Sequence, residues 1–173
     1  MIEDGGWVIV AAAFALMLLI VRQERSLARQ FTKLQVRLHG YDKELRVFLE
    51  SLDGEPDRME RVNRVRRLDS RLPIVVAIVL VGLNLILAEL FDTTHIVSRL
   101  ALGVGIAVGL AGVLADYAEN ILLGRMIDTR PRPPTVDEIR LASRSTIFKC
   151  WAYIAATVIV LLQATVYLCL KVL

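Results

Sequence analysis

The chain has 173 residues, of which 55% are hydrophobic, and its mean hydropathy is +0.55. This length allows one ordinary domain, and the composition excludes a disordered chain, a collagen-like chain and a disulfide scaffold. Two cysteines are too few for a zinc cluster, and the formal charge of +3 is so small that its distribution matters more than its size.

Four apolar stretches are candidates for membrane-spanning helices, and they cover about 6–21, 73–91, 99–121 and 148–170. A helix needs about 20 mostly apolar residues to cross about 30 Å of hydrocarbon, so the first stretch must recruit residues before it or lie in a thinned bilayer. None of the stretches keeps a polar face for water, which disfavours a soluble bundle. The sequence therefore predicts an all-α fold, a four-helix bundle forming a single membrane domain over 1–173.

The basic residues predict the orientation of these spans. Of the 21 Lys and Arg residues, 13 lie in 22–72 and 6 lie in 125–149. The positive-inside rule places these segments in the cytoplasm and both termini outside. Acidic Glu3 and Asp4 before the first span, with no cleavage site after it, argue against a cleaved signal peptide. The preference for Arg over Lys and the short N-terminus favour a bacterial inner membrane.

The segment between the first two spans has a heptad pattern. Its apolar residues recur at alternating spacings of four and three, at Leu27, Phe31, Leu34, Leu38, Tyr41, Leu45, Phe48 and Leu52. We call these residues the seam. The pattern predicts that one helix continues from the first span to about residue 52 as a long cytoplasmic extension, where Gly54 and Pro56 end it. A second helix, from about Asp57 to Leu72, then leads into the second span.

Two partners are possible for the seam. One is the second helix, in an intrachain antiparallel hairpin, and the other is the seam of another copy, in a homo-oligomer. Residues 22–52 span about 46 Å as a helix and residues 57–72 only about 24 Å, so a straight hairpin leaves part of the seam uncovered. The heptad phase continues through Gly40, which argues against a break there.

A group of arginines precedes the second span, consisting of Arg58, Arg61, Arg64, Arg66, Arg67 and Arg71. Basic residues beside a membrane attract anionic lipid head groups, at about 1 kcal/mol each. The alternative is that these arginines only set the topology. Nucleic acid is not expected as a partner, because the segment 22–72 also holds nine acidic residues.

Small and polar residues within the spans predict helix contacts. Span three has one ladder of small residues at Ala101, Gly105 and Gly109 and a second at Gly103, Ala107, Ala111 and Ala115. Such ladders let helix backbones approach closely, so this helix is expected to be central. Asn84, in the middle of span two, is expected to form a hydrogen bond to another helix.

The most informative polar residues lie where span three ends and span four begins. Asp116, Glu119 and Asn120 share one face of a helix, near the cytoplasmic boundary of the hydrocarbon. A capping box at Thr135 and Glu138 predicts that the fourth helix starts at about Val136. That helix then carries a second polar face, which consists of Ser143, Thr146 and Lys149.

The two polar faces are expected to pair. Ionisable residues inside a membrane point to a functional site. The pair is either a structural clasp or a binding site for a lipid head group, a quinone-like molecule or a cation.

These residues form a pattern, D-x-x-E-N followed by A-S-x-x-T-x-x-K. It consists of Asp116, Glu119, Asn120, Ala142, Ser143, Thr146 and Lys149. The pattern resembles one in small, uncharacterised bacterial four-span membrane proteins, and the likeness covers about 35 of the 173 residues. The resemblance implies no particular activity.

No catalytic motif is present in the sequence, and the two histidines, His39 and His95, fall on opposite sides of the membrane. Cys150 and Cys169 lie about 28 Å apart along one helix and cannot form an intrachain disulfide. Asp116 and Glu119 could act in acid–base chemistry or hold a metal with substrate phosphates, but phosphotransferases need more charged groups. We therefore predict no enzyme activity, no catalytic residue, no cofactor and no metal.

Two functional classes follow. The first is a non-enzymatic assembly, scaffold or accessory protein of the membrane, which self-associates or docks partners through the seam. The second is a transporter, channel or membrane sensor whose site is the polar group at the ends of spans three and four. The expected partners are anionic membrane lipids and further copies of the chain or other subunits of a membrane complex.

Overall fold

The computed structural model describes the backbone of residues 3–28, 42–50, 52, 56–90, 96–129 and 132–172. The regular elements in these ranges are all α-helices: α1 (Glu3–Ala28), α2 (Asp42–Glu50), α3 (Pro56–Asp69), α4 (Leu72–Leu90), α5 (Ile96–Asp128) and α6 (Val136–Val172). Four helical segments, namely α1, α3 with α4, α5 and α6, are long and apolar enough to cross a membrane, as the sequence predicts. The protein is therefore an all-α integral membrane protein.

Successive long helices run antiparallel. Ile20, near the end of α1, packs with Val75 and Val79 at the start of α4. At the other end of this pair, a Cβ on Gly82 of α4 would lie 2.6 Å from Cγ2 of Val10 of α1. The glycine thus allows the two helices to approach closely.

Helix α5 lies between α4 and α6, because one of its two ladders of small residues faces both. A Cβ on Gly109 would lie 3.7 Å from Leu80 of α4 and 3.9 Å from Ala156 of α6. Gly103, on the other ladder, is exposed and has no described atom within 4 Å of its Cβ position. Only the ladder that contains Gly105 and Gly109 therefore packs tightly against both neighbours.

Asn84 is fully buried, but its hydrogen bond differs from the prediction. Its Nδ2 donates to the carbonyl oxygen of Leu80 at 2.8 Å, within the same helix. Its Oδ1 has no hydrogen-bond partner among the described residues and faces Gly105, where a Cβ would collide with it. The expected hydrogen bond to another helix is therefore wrong, because the amide packs on a glycine backbone that offers it no donor.

A short turn that precedes Pro73 separates α3 from α4. The predicted helix over 57–72 is α3, which ends at Asp69, and a turn at residues 70 and 71 leads into α4. Pro73 has no N–H to donate to the carbonyl of Asp69, so the regular helical bonding is interrupted there. Ser70 N still donates to Arg66 O at 2.9 Å and Arg71 N to Leu68 O at 3.0 Å, which keeps the path helical across the turn.

The seam is described only in part. Helix α1 continues beyond the first apolar stretch to Ala28, and α2 covers 42–50. Seam residues Phe31, Leu34, Leu38 and Tyr41 lie outside the described residues, as do the side chains of Leu27 and Leu45. The described seam residues, Phe48 and Leu52, pack inside the chain against an apolar cluster of α3, α5 and α6.

One end of the bundle carries most of the charge, and we call it the arginine-rich end. Because the long helices alternate in direction, the end of α1, the start of α4, the end of α5 and the start of α6 all meet there. Helices α5 and α6 have 33 and 37 residues, or about 50 and 56 Å, which is more than the hydrocarbon requires. Both helices therefore have length to extend beyond the hydrocarbon.

Candidate functional site: a buried polar clasp

The position of α6 is fixed at its start by a capping box. Thr135 N donates to Glu138 Oε2 at 2.7 Å, and Glu138 N donates to Thr135 Oγ1 at 3.2 Å. These bonds satisfy amide groups that have no partner within the helix, so α6 begins at Val136, as predicted. From this start, α6 turns Thr146, Lys149 and Tyr153 towards α5 at spacings of three and four residues.

We define the clasp as the side chains of Asp116 and Glu119 of α5 and of Thr146, Lys149 and Tyr153 of α6, which contact one another. The Lys149 ammonium lies 2.9 Å from Asp116 Oδ1 and 2.5 Å from Glu119 Oε2. Thr146 Oγ1 donates to Glu119 Oε1 at 2.6 Å, and Tyr153 O–H donates to Asp116 Oδ2 at 3.2 Å. One cation and two hydroxyl groups on α6 therefore hold two carboxylates on α5.

The clasp is shielded from solvent. Asp116 and Glu119 are 3% and 4% exposed, and Thr146 is fully buried. The outward-facing residues at this level of the two helices are apolar, namely Leu114, Ile121, Phe148 and Trp151, each at least half exposed. A Trp is typical of the interface between hydrocarbon and head groups. The clasp therefore lies within the apolar part of the bundle, at its edge, where paired charges stabilise each other strongly.

Space for Tyr153 depends on a glycine of α5. A Cβ on Gly112 would lie 2.9 Å from the Tyr153 ring and 3.2 Å from Cβ of Ala152. Gly112 stands four residues before Asp116, so the same face of α5 provides both the space for the ring and the acceptor for its hydroxyl group.

At the arginine-rich end, an apolar cluster covers the clasp on the side that faces away from the middle of the bundle. Its buried members are Leu49, Leu52, Val62, Met126, Ile127, Ile139 and Ala142. The α5 members follow Glu119 along the chain and the α6 members precede Thr146, so the cluster lies on the outer side of the clasp. Helices α2 and α3 thereby cover the clasp from that side, which limits the access of water to it.

The structure unites some of the predicted polar residues and leaves others apart. Asp116, Glu119, Thr146 and Lys149 meet as described. Ser143 is buried one turn before Thr146. Asn120 does not join the clasp in the contacts described, and its buried Nδ2 has no hydrogen bond to a described residue. Tyr153 is absent from the predicted set, although its position four residues after Lys149 on the same face could have indicated it.

The six arginines before the second span do not form one uniform site. Arg66 Nη1 bonds Asp128 Oδ1 at 2.9 Å and Asn63 Oδ1 at 3.2 Å, and Arg64 bonds Glu60 at 2.5 Å. Arg58 and Arg61 are half-buried and are not free either. Only Arg67 and Arg71 have exposed side chains that form no hydrogen bond or ion pair with the described residues.

The charged groups of the clasp determine what it can bind. Two carboxylates contact the same ammonium, so they compete for one cation. The described residues contain no group of three or more His, Cys, Asp and Glu side chains suited to a metal ion. His39 and His95 lie outside the described residues.

Comparisons of the chain with protein families, with characterised proteins and with solved structures find no match.

The clasp predicts a large loss of stability when Lys149 becomes Met. The substitution keeps an apolar side chain of similar length but leaves two buried carboxylates facing each other, which is expected to cost about 3–5 kcal/mol. Reversible unfolding in mixed detergent micelles measures this. The control is Arg64→Gln, which removes an exposed ion pair with Glu60 and should cost less than about 1 kcal/mol. Equal effects of the two substitutions would show that the clasp does not stabilise the bundle.

Proposed function

We propose that this chain is a non-enzymatic membrane sensor or transporter that binds a single positive charge at the clasp. The observation that carries the proposal is that two carboxylates with almost no solvent exposure share one ammonium in the apolar part of the bundle. Two buried carboxylates side by side form an anionic site, and a cation or a proton that reaches it is favoured because it stabilises the carboxylate that it contacts.

The clasp also offers a route from binding to a change in helix packing. Its contacts join α5 to α6, and Lys149 contacts both carboxylates. A bound cation would compete with Lys149 for one of them and weaken this connection. Such differential contacts are what a ligand needs in order to shift a protein between two arrangements.

The close contacts within the clasp limit the size of the ligand that it can accept. The clasp contacts are 2.5–3.2 Å long, so the groups already touch, and the described residues provide no preformed set for a multivalent metal. A proton requires no space, and a small monovalent ion requires only that Lys149 move aside. Both supply one positive charge, and the experiment below separates them.

Cation binding predicts a specific gain in stability. The melting temperature of the detergent-solubilised protein is measured in NaCl, KCl and choline chloride at equal ionic strength and at several pH values. A cation at 100 times its Kd should stabilise the wild-type protein by about 2.7 kcal/mol, and Glu119→Gln should abolish the response. The control Asp128→Asn, in an exposed acid paired with Arg66, should respond as the wild type does.

The three salts and the pH series give distinct results. A response to NaCl or KCl but not to choline identifies a metal cation, and a response to pH alone identifies a proton. If the wild type responds to neither, or if Glu119→Gln responds as the wild type does, the proposal is wrong. Flux in proteoliposomes then distinguishes a transporter from a sensor.

We further propose that the arginine-rich end faces the cytoplasm of a bacterial inner membrane. The support is the distribution of basic residues, 19 of 21 of which lie in 22–72 and 125–149. A protease added to inside-out vesicles should then cut the connection between α5 and α6, whereas right-side-out vesicles should protect it. The reverse pattern would contradict this orientation.

A second candidate is an assembly or accessory protein that self-associates through the seam. It is favoured by apolar side chains that remain exposed beyond the clasp, namely Val47 at 65%, Val136 at 57% and Leu141 at 53%. Phe48 and Leu52, the last two residues of the seam, pack inside the chain, which argues against this part of the seam as an interface between copies.

Self-association is tested by replacing Leu38 and Leu45 with Gln. The candidate predicts that native mass spectrometry shows a discrete homo-oligomer for the wild type and a monomer for the double variant. Arg46→Gln, a change at an exposed polar residue of α2 outside the seam, is the control and should leave the mass unchanged. A monomeric wild type would exclude this candidate.

A further inference from the structure

One stripe on the outside of the bundle joins two exposed arginines, which form no hydrogen bond or ion pair with the described residues, to an apolar surface. Arg67 and Arg71 are exposed, and the same side of the helix continues with Ile74, Ile78 and Leu85, which are 53%, 42% and 49% exposed. The steps between these five residues are four, three, four and seven, which keep them on one side of a helix. Across the turn at residues 70 and 71, Ser70 N bonds Arg66 O and Val75 N bonds Arg71 O, each four residues back, so the backbone between Arg67 and Ile74 stays close to a helical path.

The two ends of the stripe are complementary to the two parts of a phospholipid. One end is cationic, as an anionic head group requires, and the other is apolar, as an acyl chain requires. The guanidinium groups lie where α3 meets the apolar α4, and they can bind phosphate oxygens in a bidentate manner. The isoleucines and the leucine follow along the membrane-spanning part, where acyl chains lie. We propose that this stripe binds a phospholipid with an anionic head group, with the phosphate at Arg67 and Arg71 and an acyl chain along Ile74 and Ile78.

Neighbouring arginines explain why the site is confined to these two residues. Arg64, one turn before Arg67, is already neutralised by Glu60, and Arg66 is held by Asp128. Arg67 and Arg71 form no hydrogen bond or ion pair with a described residue, although the charge of Glu60 acts on Arg67 from a distance. Both side chains can therefore bind an anion directly, whereas a paired arginine must first lose its partner. Of the six arginines that precede the second span, Arg67 and Arg71 are therefore the two that we expect to bind the lipid phosphate.

The experiment measures the lipids that remain bound after gentle solubilisation. The full chain is reconstituted in vesicles of phosphatidylcholine with a minor fraction of phosphatidylglycerol, and native mass spectrometry counts each lipid on the protein. We expect the wild type to retain phosphatidylglycerol in preference to phosphatidylcholine. The double variant Arg67→Gln/Arg71→Gln should lose about 30-fold of this preference, or about fivefold for each arginine.

A matched control removes the same net charge from paired arginines. Arg64→Gln/Arg132→Gln changes two exposed arginines that are paired with Glu60 and Glu138. It should keep the wild-type preference, and both double variants should melt at the wild-type temperature because none of these side chains lies in the core.

Three results would overturn the proposal. The first is a wild type without preference for the anionic lipid, and the second is an equal loss in the two double variants, which would indicate net charge alone. The third is displacement of the lipid by inorganic phosphate at the same concentration, which would show that the apolar part of the stripe contributes nothing. The clasp does not enter this experiment, so the result is independent of the proposed cation site.

Discussion

The contact of Lys149 with Asp116 and Glu119 is the constraint on which the arrangement of the bundle most depends. In a medium of low polarity, charges that contact one another are held strongly, and a charge left alone is costly. Helices α5 and α6 can therefore slide or rotate against each other only by separating these groups. The glycines of α5 and the capping box of α6 are arranged consistently with this contact, because they set the distance between the two helices and the point at which α6 begins.

The rest of the protein is built around this pair of helices. Helix α4 packs against α5 at the ladder of small residues, and α1 packs against α4 with most of its surface facing outward. Helices α2 and α3 close the arginine-rich end with an apolar cluster. The clasp is thereby placed between an apolar cap and the hydrocarbon, an environment in which a small change of charge has a large energetic effect.

Two different uses of charge are combined at the same end of the bundle. The buried charges of the clasp contact one another and place two carboxylates around one ammonium, where we propose that a small cation or a proton binds. The exposed guanidinium groups of Arg67 and Arg71 form no hydrogen bond or ion pair with the described residues and adjoin an apolar stripe, where we propose that an anionic lipid binds. The burial of each group, rather than its residue type, decides which of these roles it can have.

The sequence by itself determined the four apolar spans, the start of α6 at Val136 and the two polar faces that meet in the clasp. Each of these follows from local periodicity or from contacts three or four residues apart, which one helix contains within itself. Only the tertiary structure decided that Asn84 bonds its own helix, that Tyr153 joins the clasp and that Phe48 and Leu52 pack inside the chain. It also decided that Arg66 bonds Asp128, whereas Arg67 and Arg71 form no hydrogen bond or ion pair with the described residues. The physical reason is that these outcomes depend on which helix lies opposite each residue and at what distance, and neither is encoded in the spacing of residues along one helix.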